Sequence, residues 1–182
     1  LVLADDHAIV RMGFRLLLEG VGARVLAEAD SGETAQKLMA ELDPDVLVMD
    51  LSMPGCGGLA ALERILARKP GQKVLIASAH ADAITAERAL KAGAAGYLCK
   101  RSPPDELLKA VGLVAAGQRY IDPEIAAALR RADRPEHPAE ALTDKEFNVF
   151  LQLAQGRSVA EVAQTFHLSP NTVGTHLYHI KQ

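Results

Sequence analysis

Acidic side chains follow two of the short apolar segments that the sequence predicts to be strands. Asp5 and Asp6 come directly after the run 1–4, and Asp50 closes the run 46–50. Such runs are typical of strands buried on both faces of a parallel sheet, and ligands bind outside the carboxyl ends of these strands. Three carboxylates at one place are costly unless a cation joins them, and oxygen ligands suit Mg²⁺. The sequence therefore predicts a Mg²⁺ site at this edge.

Two further predicted strands end in residues that suit the same chemistry. Ser78 ends the fourth strand with a hydroxyl, and Lys100 follows the fifth with a cation. Together with a metal-bound carboxylate they form a cradle for a phosphoryl group, whose negative charge Mg²⁺ and lysine offset. The predicted event is phosphorylation of Asp50. Taken singly, each residue has a structural alternative, since acids and serine cap helices and Lys100 could extend to solvent beside the core.

The elements that must hold these residues alternate regularly. Five apolar runs rich in β-branched residues are separated by amphipathic helical segments, and sequential βα units joined by right-handed crossovers give helices on both faces of a parallel sheet. We therefore predict an α/β fold, a flavodoxin-like doubly wound five-stranded parallel sheet, over residues 1–116. The predicted strands are 1–4, 25–29, 46–50, 74–78 and 96–99.

The pattern changes after residue 116. Residues 117–139 are predicted to be a linker that contains a short helix, because the stretch is polar and contains prolines. Residues 140–182 are predicted to be a small all-α domain. Thr143 and Ser158, each with Glu three residues later, indicate capping boxes, and Ser169 before a proline indicates a third helix start.

The length and composition of the chain limit the number of domains and argue against a membrane protein and a disulfide-rich protein. The chain has 182 residues and is 49% hydrophobic, which is enough for a buried core and one or two domains. It has no apolar stretch near the ~20 residues that a membrane span needs, so we expect no membrane association and take the cytoplasm as the default compartment. The two cysteines indicate neither a disulfide framework nor a zinc site, and Cys99 is expected in the core. We expect the sequence to be cut at both ends.

The amino-terminal part resembles a known family. LADDH, VMDLSMPGCGG, the strand ending in Ser78 and GYLCK are similar to the receiver domain of bacterial two-component response regulators. The resemblance implies that Asp50 is the phosphoacceptor and that Asp6, Asp50 and the Ser52 carbonyl bind Mg²⁺, with Asp5 acting through water. It also implies that Ser78 and Lys100 contact the phosphoryl group, and that the rotamer of Tyr97 is coupled to Ser78. A core ring that only fills space is an equally compatible reading of Tyr97.

Two positions depart from the receiver pattern. Many receivers have proline after the lysine, where this sequence has Arg101, so the isomer of that peptide bond is open. His80 follows the fourth strand closely enough to influence dephosphorylation, although a solvated loop histidine is the simpler interpretation.

The carboxyl-terminal part, LTDKEFNVFLQLAQGRSVAEVAQTFHLSPNTVGTHL, resembles a LuxR-type helix-turn-helix, and the two parts together resemble the NarL/FixJ class. Relatives of this kind have a further C-terminal helix, which we expect to be missing from this sequence. Residues 140–182 carry three basic and four acidic side chains, a net of minus one, which predicts weak binding of a single copy to phosphate. The third helix offers the expected contacts to double-stranded DNA: Asn171, Thr172, Gly174, Thr175, Tyr178 and Lys181.

The sequence thus predicts a phosphorylation-controlled, DNA-binding transcriptional regulator and not a turnover enzyme. Its expected partners are a sensor histidine kinase, double-stranded DNA and, when phosphorylated, a second copy of the chain. One alternative is a signalling adaptor whose output module does not bind DNA. Another is an aspartyl-phosphate phosphatase of the haloacid-dehalogenase type, which would need a second Asp where this sequence has Ser52.

Overall fold

A computed structural model describes residues 1–79, 82–132, 142–166 and 168–180. A parallel sheet with helices on both faces fills the first 132 residues, and three helices follow. The strands are β1 (Val2–Ala4), β2 (Ala27–Ala29), β3 (Leu47–Met49), β4 (Val74–Ser78), β5 (Gly96–Cys99) and β6 (Tyr120–Ile121). The helices are α1 (Ala8–Gly20), α2 (Gly32–Glu41), α3 (Gly58–Arg68), α4 (Ala83–Lys91), α5 (Pro104–Ala115), α6 (Pro123–Ala132), α7 (Asp144–Ala154), α8 (Val159–Thr165) and α9 (Pro170–Ile180).

The strand order is β2-β1-β3-β4-β5-β6, and every pairing is parallel. The order reverses between β1 and β3, which is the topological switch point of a doubly wound sheet. The predicted fold class is confirmed. The predicted count of five strands is wrong by one, because β6 adds an edge strand of only two residues, too short to show a periodic pattern.

Alternate residues of each strand face two separate cores, as the period of a β-strand requires. Val2 and Ala4 pack with α2, α3, α4 and α6, whereas Leu3 packs with α1 and α5. Burial on both faces explains why β1, β3, β4 and β5 are almost continuous apolar runs, whereas the edge strand β2 contains Glu28. Cys99 is buried, as predicted.

The region predicted to be a linker begins inside the sheet. β6 pairs with β5, and Ile125 of α6 is fully buried in the core beside α4. Buried Asp122 accepts hydrogen bonds from the Ser102 hydroxyl and from the Glu124 N–H, which starts α6. The loop after β5 and the start of α6 are thereby tied together.

The predicted helix starts of the carboxyl-terminal part are confirmed. Thr143 and Ser158 each form a complete capping box with the Glu three residues on. The Ser169 hydroxyl accepts from the Thr172 N–H at 3.1 Å. Val149, Val162 and Val173 form the buried centre of these three helices.

Two further observations concern the described residues as a whole. None of their peptide bonds is cis, so the bond after Lys100 is trans. None of their helices combines the length and the apolar character that a bilayer crossing requires.

Candidate functional site

The ends of β1 and β3 bring the predicted carboxylates together. Ala4 is in register with Met49, so the residue after each strand lies at the same edge of the sheet. The Asp50 N–H donates to the Ala4 carbonyl at 2.8 Å, which fixes Asp50 directly beside Asp5. Both residues are buried, Asp5 at 4% exposure and Asp50 at 3%. Their position therefore follows from the strand register rather than from local turns.

Lys100 bridges these two carboxylates. Its Nζ lies 2.6 Å from Asp5 Oδ2 and 2.7 Å from Asp50 Oδ2, and the lysine side chain is only 10% exposed. The Lys100 N–H donates to the Ser78 carbonyl at 2.8 Å, which anchors the lysine to the end of β4. Asp5, Asp50 and Lys100 thus form one ion-paired cluster after the ends of β1, β3 and β5, and Ser78 lies next to it at the end of β4.

Burial and charge act in opposite directions on this cluster. Burial raises the pKa of Asp50 above its ordinary value, against the opposing influence of Lys100. For Lys100 burial lowers the pKa, but the charges of Asp50 and Asp5 outweigh it and the net direction is upward. Lys100 therefore stays protonated at neutral pH. One ammonium facing several carboxylates leaves the site short of positive charge.

Asp6 and His7, which precede α1, lie beside Asp5 and Asp50 and add two further potential metal ligands. One ligand atom from each of Asp5, Asp6, His7 and Asp50 lies within 4.8 Å of the others. Asp6 Oδ1 is enclosed and accepts no well-directed hydrogen bond from the described residues, although His7 Nδ1 lies 2.8 Å away. An enclosed carboxylate oxygen without a proper donor is suited to a cation. The donor set fits Mg²⁺, with His7 as a nitrogen neighbour that the sequence analysis missed despite its adjacency to Asp6.

The loop after β3 holds the other oxygen of Asp50. The Ser52 N–H donates to Asp50 Oδ1 at 3.1 Å, so the two carboxylate oxygens have different partners. Gly58 begins α3 directly against this loop, and a Cβ there would lie 2.4 Å from the Leu51 Cα. Only glycine permits so close an approach of the helix to the backbone beside Asp50.

Ser78 and Tyr97 are in contact, one strand apart in the sheet. Tyr97 is fully buried and shares a side-chain hydrogen bond with Ser78. Burial raises the pKa of the Tyr97 phenol, which therefore stays protonated at neutral pH. The contact links the edge of the carboxylate cluster to the core beneath α4.

The surface of α9 carries the residues predicted to contact DNA. Asn171, Gly174, Thr175 and Tyr178 are at least partly exposed, Tyr178 at 63%. Thr172 is only partly exposed, and its hydroxyl lies 2.8 Å from that of Ser169 at the helix start. Its structural role there is capping. Lys181 and His80 lie outside the described residues.

A contact between the sheet domain and the helical part was not predicted from the sequence. Arg88 of α4 donates a hydrogen bond to the Leu142 carbonyl, and its guanidinium carbon lies 4.0 Å from the centre of the Phe147 ring. At a second point, the Gly55 N–H donates to the Thr165 carbonyl at 3.3 Å. No local signal marks a tertiary contact of this kind, because neither partner has an unusual sequence neighbourhood.

The chain matches two protein families along its length. Residues 1–112 match the family described as response regulator receiver domain. Residues 140–182 match the family described as bacterial regulatory proteins, luxR family. Both matches fall on the parts in which the sequence motifs were found.

Known proteins resemble the chain over nearly its whole length. Response regulator GacA of Pseudomonas aeruginosa is 39% identical over 98% of this chain and 86% of its own. A LuxR-family two-component response regulator from Aurantimonas sp. SI85-9A1 has a crystal structure that is similar with a TM-score of 0.70 and 40% identity, covering 72% of this chain and 94% of that one. The structure of two RcsB dimers bound to two parallel DNAs is similar with a TM-score of 0.68 and 26% identity, covering 96% of this chain and 86% of that one.

Proposed function

The chain belongs to the response regulators of the NarL/FixJ class, phosphorylation-controlled transcriptional regulators, and on that premise we propose that Asp50 is its phosphoacceptor. The family has a histidine kinase as the source of the phosphoryl group and a LuxR-type helix-turn-helix as the output. The proposed division is a receiver over 1–116, a connecting region over 117–139 whose β6 and Ile125 also belong to the receiver sheet and core, and a DNA-binding domain over 140–182. The class is one of regulators and not of turnover enzymes.

The observation that carries the proposal is the bridge from Lys100 to Asp5 and Asp50. A carboxylate oxygen of Asp50 would attack the phosphorus of a phosphohistidine, forming the O–P bond as the N–P bond breaks. Negative charge then increases beside an ammonium that is already held in place, so no costly rearrangement is needed. The Ser52 N–H keeps the carboxylate oriented through its other oxygen.

Mg²⁺ is the proposed cofactor, held by Asp6, Asp50 and the Ser52 carbonyl, with Asp5 through water. When bound, it supplies positive charge that offsets the phosphoryl oxygens. The enclosed Asp6 Oδ1, which lacks a well-directed donor among the described residues, supports this assignment. Asp5 is engaged by Lys100 and by the His7 N–H at 2.9 Å, which agrees with an indirect role.

Ser78 and Tyr97 are the proposed switch. A phosphoryl group on Asp50 offers acceptors to the Ser78 hydroxyl, which would exchange its bond to Tyr97 for one to phosphate. Phosphorylation shifts the population of states only to the extent that one state holds the phosphoryl group better. Loss of the Ser78 bond would change the packing of Tyr97 beneath α4, which carries Arg88 and its contact to the output helices.

The proposed output is binding to double-stranded DNA through α9 by Asn171, Thr172, Gly174, Thr175, Tyr178 and Lys181. The accessibility of Asn171, Thr175 and Tyr178 supports it, since none of them is buried against the receiver. Regulation of DNA binding therefore does not require the receiver to cover α9 in the unphosphorylated state. We propose that phosphorylation acts on the orientation of the output domain and on homodimerisation, as in the dimers that RcsB forms on DNA.

Labelling with a small phosphodonor tests the first half of the proposal. The chain is incubated with acetyl phosphate and Mg²⁺, and the mass gain of one phosphoryl group is followed by intact mass spectrometry. Asp50→Asn is expected to abolish the gain, whereas Asp45→Asn, an exposed carboxylate ahead of β3, retains it. Undiminished labelling of Asp50→Asn overturns the assignment. Loss of labelling on removal of Mg²⁺ tests the cofactor separately.

A gel shift tests the second half and separates a regulator from an adaptor. The full chain, phosphorylated and unphosphorylated, is titrated onto the DNA upstream of its own coding region. Specific binding that strengthens on phosphorylation is expected. Efficient phosphorylation of Asp50 without any DNA binding would favour the adaptor.

A further inference from the structure

A cavity of about 340 Å³ lies between the receiver and the output domain, and we call it the interdomain cavity. Cys56, in the loop after β3, and Ala60 of α3 belong to its receiver wall. Val149 of α7 and Phe166, directly after α8, belong to its output wall. None of the described residues that line it belongs to the carboxylate cluster. Small-molecule sites are common at domain boundaries, and the volume of this cavity falls within their usual range.

The walls of the interdomain cavity are largely apolar. Ala60, Val149, Phe166 and Leu168 all line it. Val149 is buried at the centre of the three output helices, and Phe166 and Leu168 pack against that centre while remaining partly exposed. Water is held poorly by walls of this kind, because an ordered water needs several polar partners. The apolar body of an organic ligand, in contrast, would make van der Waals contacts with all four side chains.

The charged side chains at the rim of the cavity favour an anion. Arg64 of α3 and Lys145 in the first turn of α7 line the cavity from its two walls, and both are exposed. Neither cation forms a salt bridge with another described residue. Glu33 is the one carboxylate among the described lining residues, and its Oε1 already accepts a hydrogen bond from the Cys56 N–H at 2.8 Å. The rim therefore carries a net positive charge.

From the apolar walls and the positive rim we propose that the interdomain cavity binds a small organic carboxylate with an aromatic or bulky aliphatic body. The guanidinium of Arg64 can hold a carboxylate through two parallel N–H donors, and Lys145 adds a second positive charge. The apolar body distinguishes this ligand from inorganic phosphate. The inference goes beyond the proposed function and does not depend on Asp50 accepting a phosphoryl group.

A ligand in this cavity would contact both domains at once. The domains already touch at the same boundary, where the Gly55 N–H donates to the Thr165 carbonyl at 3.3 Å. Binding would favour the arrangement in which the two walls face each other, to the extent that the ligand prefers that arrangement over others. The cavity is therefore a site at which a small molecule can restrain the output domain against the receiver.

Calorimetric titration of the full chain with 2-naphthoate tests the site. A dissociation constant of about 1 mM or below is expected for a probe of this size. Arg64→Ala is expected to weaken binding at least about fivefold. Ala60→Leu fills the space but keeps both cations, and it should weaken binding by a similar factor. Arg68→Ala, an exposed arginine one turn further along α3 that does not line the cavity, is the matched control and should bind like wild type.

Three outcomes of this titration overturn the proposal. One is the absence of binding up to about 10 mM, where even a weak specific site would be filled. Another is equal binding by Arg64→Ala, Ala60→Leu and wild type. The third is equal binding of 2-naphthalenemethanol, a neutral analogue of the probe, which would show that the carboxylate is not recognised.

Alkylation of Cys56 tests whether the probe lies in this cavity. Cys56 lines the cavity and is only partly buried, whereas Cys99, the other cysteine of the chain, is buried. Burial raises the pKa of the Cys56 thiol, so the reaction with iodoacetamide is run at a fixed alkaline pH and followed by peptide mass spectrometry. Saturating 2-naphthoate is expected to slow alkylation of Cys56 at least about fivefold, because it covers the thiol. Unchanged alkylation in the presence of bound probe would place the probe elsewhere and refute the assignment.

Discussion

The Arg88 guanidinium lies over the Phe147 ring at 4.0 Å and at the same time hydrogen-bonds the Leu142 carbonyl. One side chain of α4 thus holds both the face of a ring in α7 and the backbone just before that helix. A stacked cation is worth about 1 kcal/mol, which is enough to bias the orientation of a domain without locking it. Movement of α4 would therefore change the contacts of Arg88 with Leu142 and Phe147 at the start of the output domain.

Arg88→Ala is expected to loosen the output domain at this contact. Hydrogen exchange of peptides covering 142–150 should accelerate by about fivefold, since the lost interaction is about 1 kcal/mol. Arg88→Lys should behave almost like alanine, because lysine keeps the charge but not the planar stack or the fork of donors. Arg68→Ala, an exposed arginine at the end of α3, is the control and should leave this region unchanged. Unaltered exchange in Arg88→Ala would contradict the role.

Removal of Lys100 should destabilise the receiver and strengthen binding of a divalent cation. Lys100→Ala leaves Asp5 and Asp50 buried without their shared partner, at an expected cost of about 3 kcal/mol in urea unfolding without Mg²⁺. Calorimetric titration should show tighter Mg²⁺ binding, because a competing positive charge is gone. Lys109→Ala is the matched control: its ion pair with Glu106 is exposed and should contribute below about 1 kcal/mol. Equal effects of the two substitutions would refute the bridging role.

Asp50→Asn should stabilise the fold in a pH-dependent manner. Because the pKa of Asp50 is raised in the folded chain, its ionised form opposes folding at neutral pH. This penalty is fully present above the raised pKa and disappears as the pH falls and the carboxyl group becomes protonated. The variant is expected to be more stable than the wild type at pH 7, with the gain shrinking toward about pH 4. Urea unfolding in the absence of Mg²⁺ measures it, and a gain that grows on acidification would contradict the sign.

The convergence of Asp5, Asp50 and Lys100 could be predicted from the sequence because parallel strands end at a common edge. Each residue was identified by its position directly after an apolar run, and the register of the parallel strands aligns these positions at one edge of the sheet. The direct bridge by Lys100 could not be predicted in the same way, since it depends on side-chain reach across three strands. Caps were predictable for a similar reason: Thr143 and Ser158 find their partners three residues away.

The features that the sequence analysis missed depend on distant residues. β6 has two residues, and its pairing with β5 is set by the packing of α6 rather than by a pattern of its own. Arg88 and Phe147 are 59 positions apart and belong to different structural units. The Thr172 hydroxyl lies against that of Ser169, a contact at the start of α9 that the sequence analysis did not predict for this residue.

Gly58→Ala should be strongly destabilising although glycine is replaced by a better helix former. The added Cβ would lie 2.4 Å from the Leu51 Cα and 2.6 Å from the Asp50 carbonyl oxygen, both backbone atoms that cannot move independently. A loss of about 3 kcal/mol is expected, together with weaker phosphorylation of Asp50 because its loop is displaced. Gly112→Ala in α5 is the control: nothing lies within 4 Å of its Cβ position, so a gain of about 1 kcal/mol is expected. Similar unfolding midpoints for the two variants would show that the close approach is unimportant.

DNA binding by this chain should depend on α9, and its salt dependence should be limited by the number of basic side chains in the output domain. Residues 140–182 contain three basic side chains, so a dimer can neutralise at most about six phosphates and the slope of log K against log salt should not exceed about 5. Tyr178→Ala removes the most exposed aromatic of the helix and is expected to reduce specific affinity about tenfold with little change in that slope. Arg157→Ala, in contrast, should reduce the slope by about 1 per copy if it contacts phosphate. Fluorescence anisotropy of labelled duplexes at several salt concentrations measures both quantities. A specific affinity that Tyr178→Ala leaves unchanged would remove this face of α9 from the DNA contact.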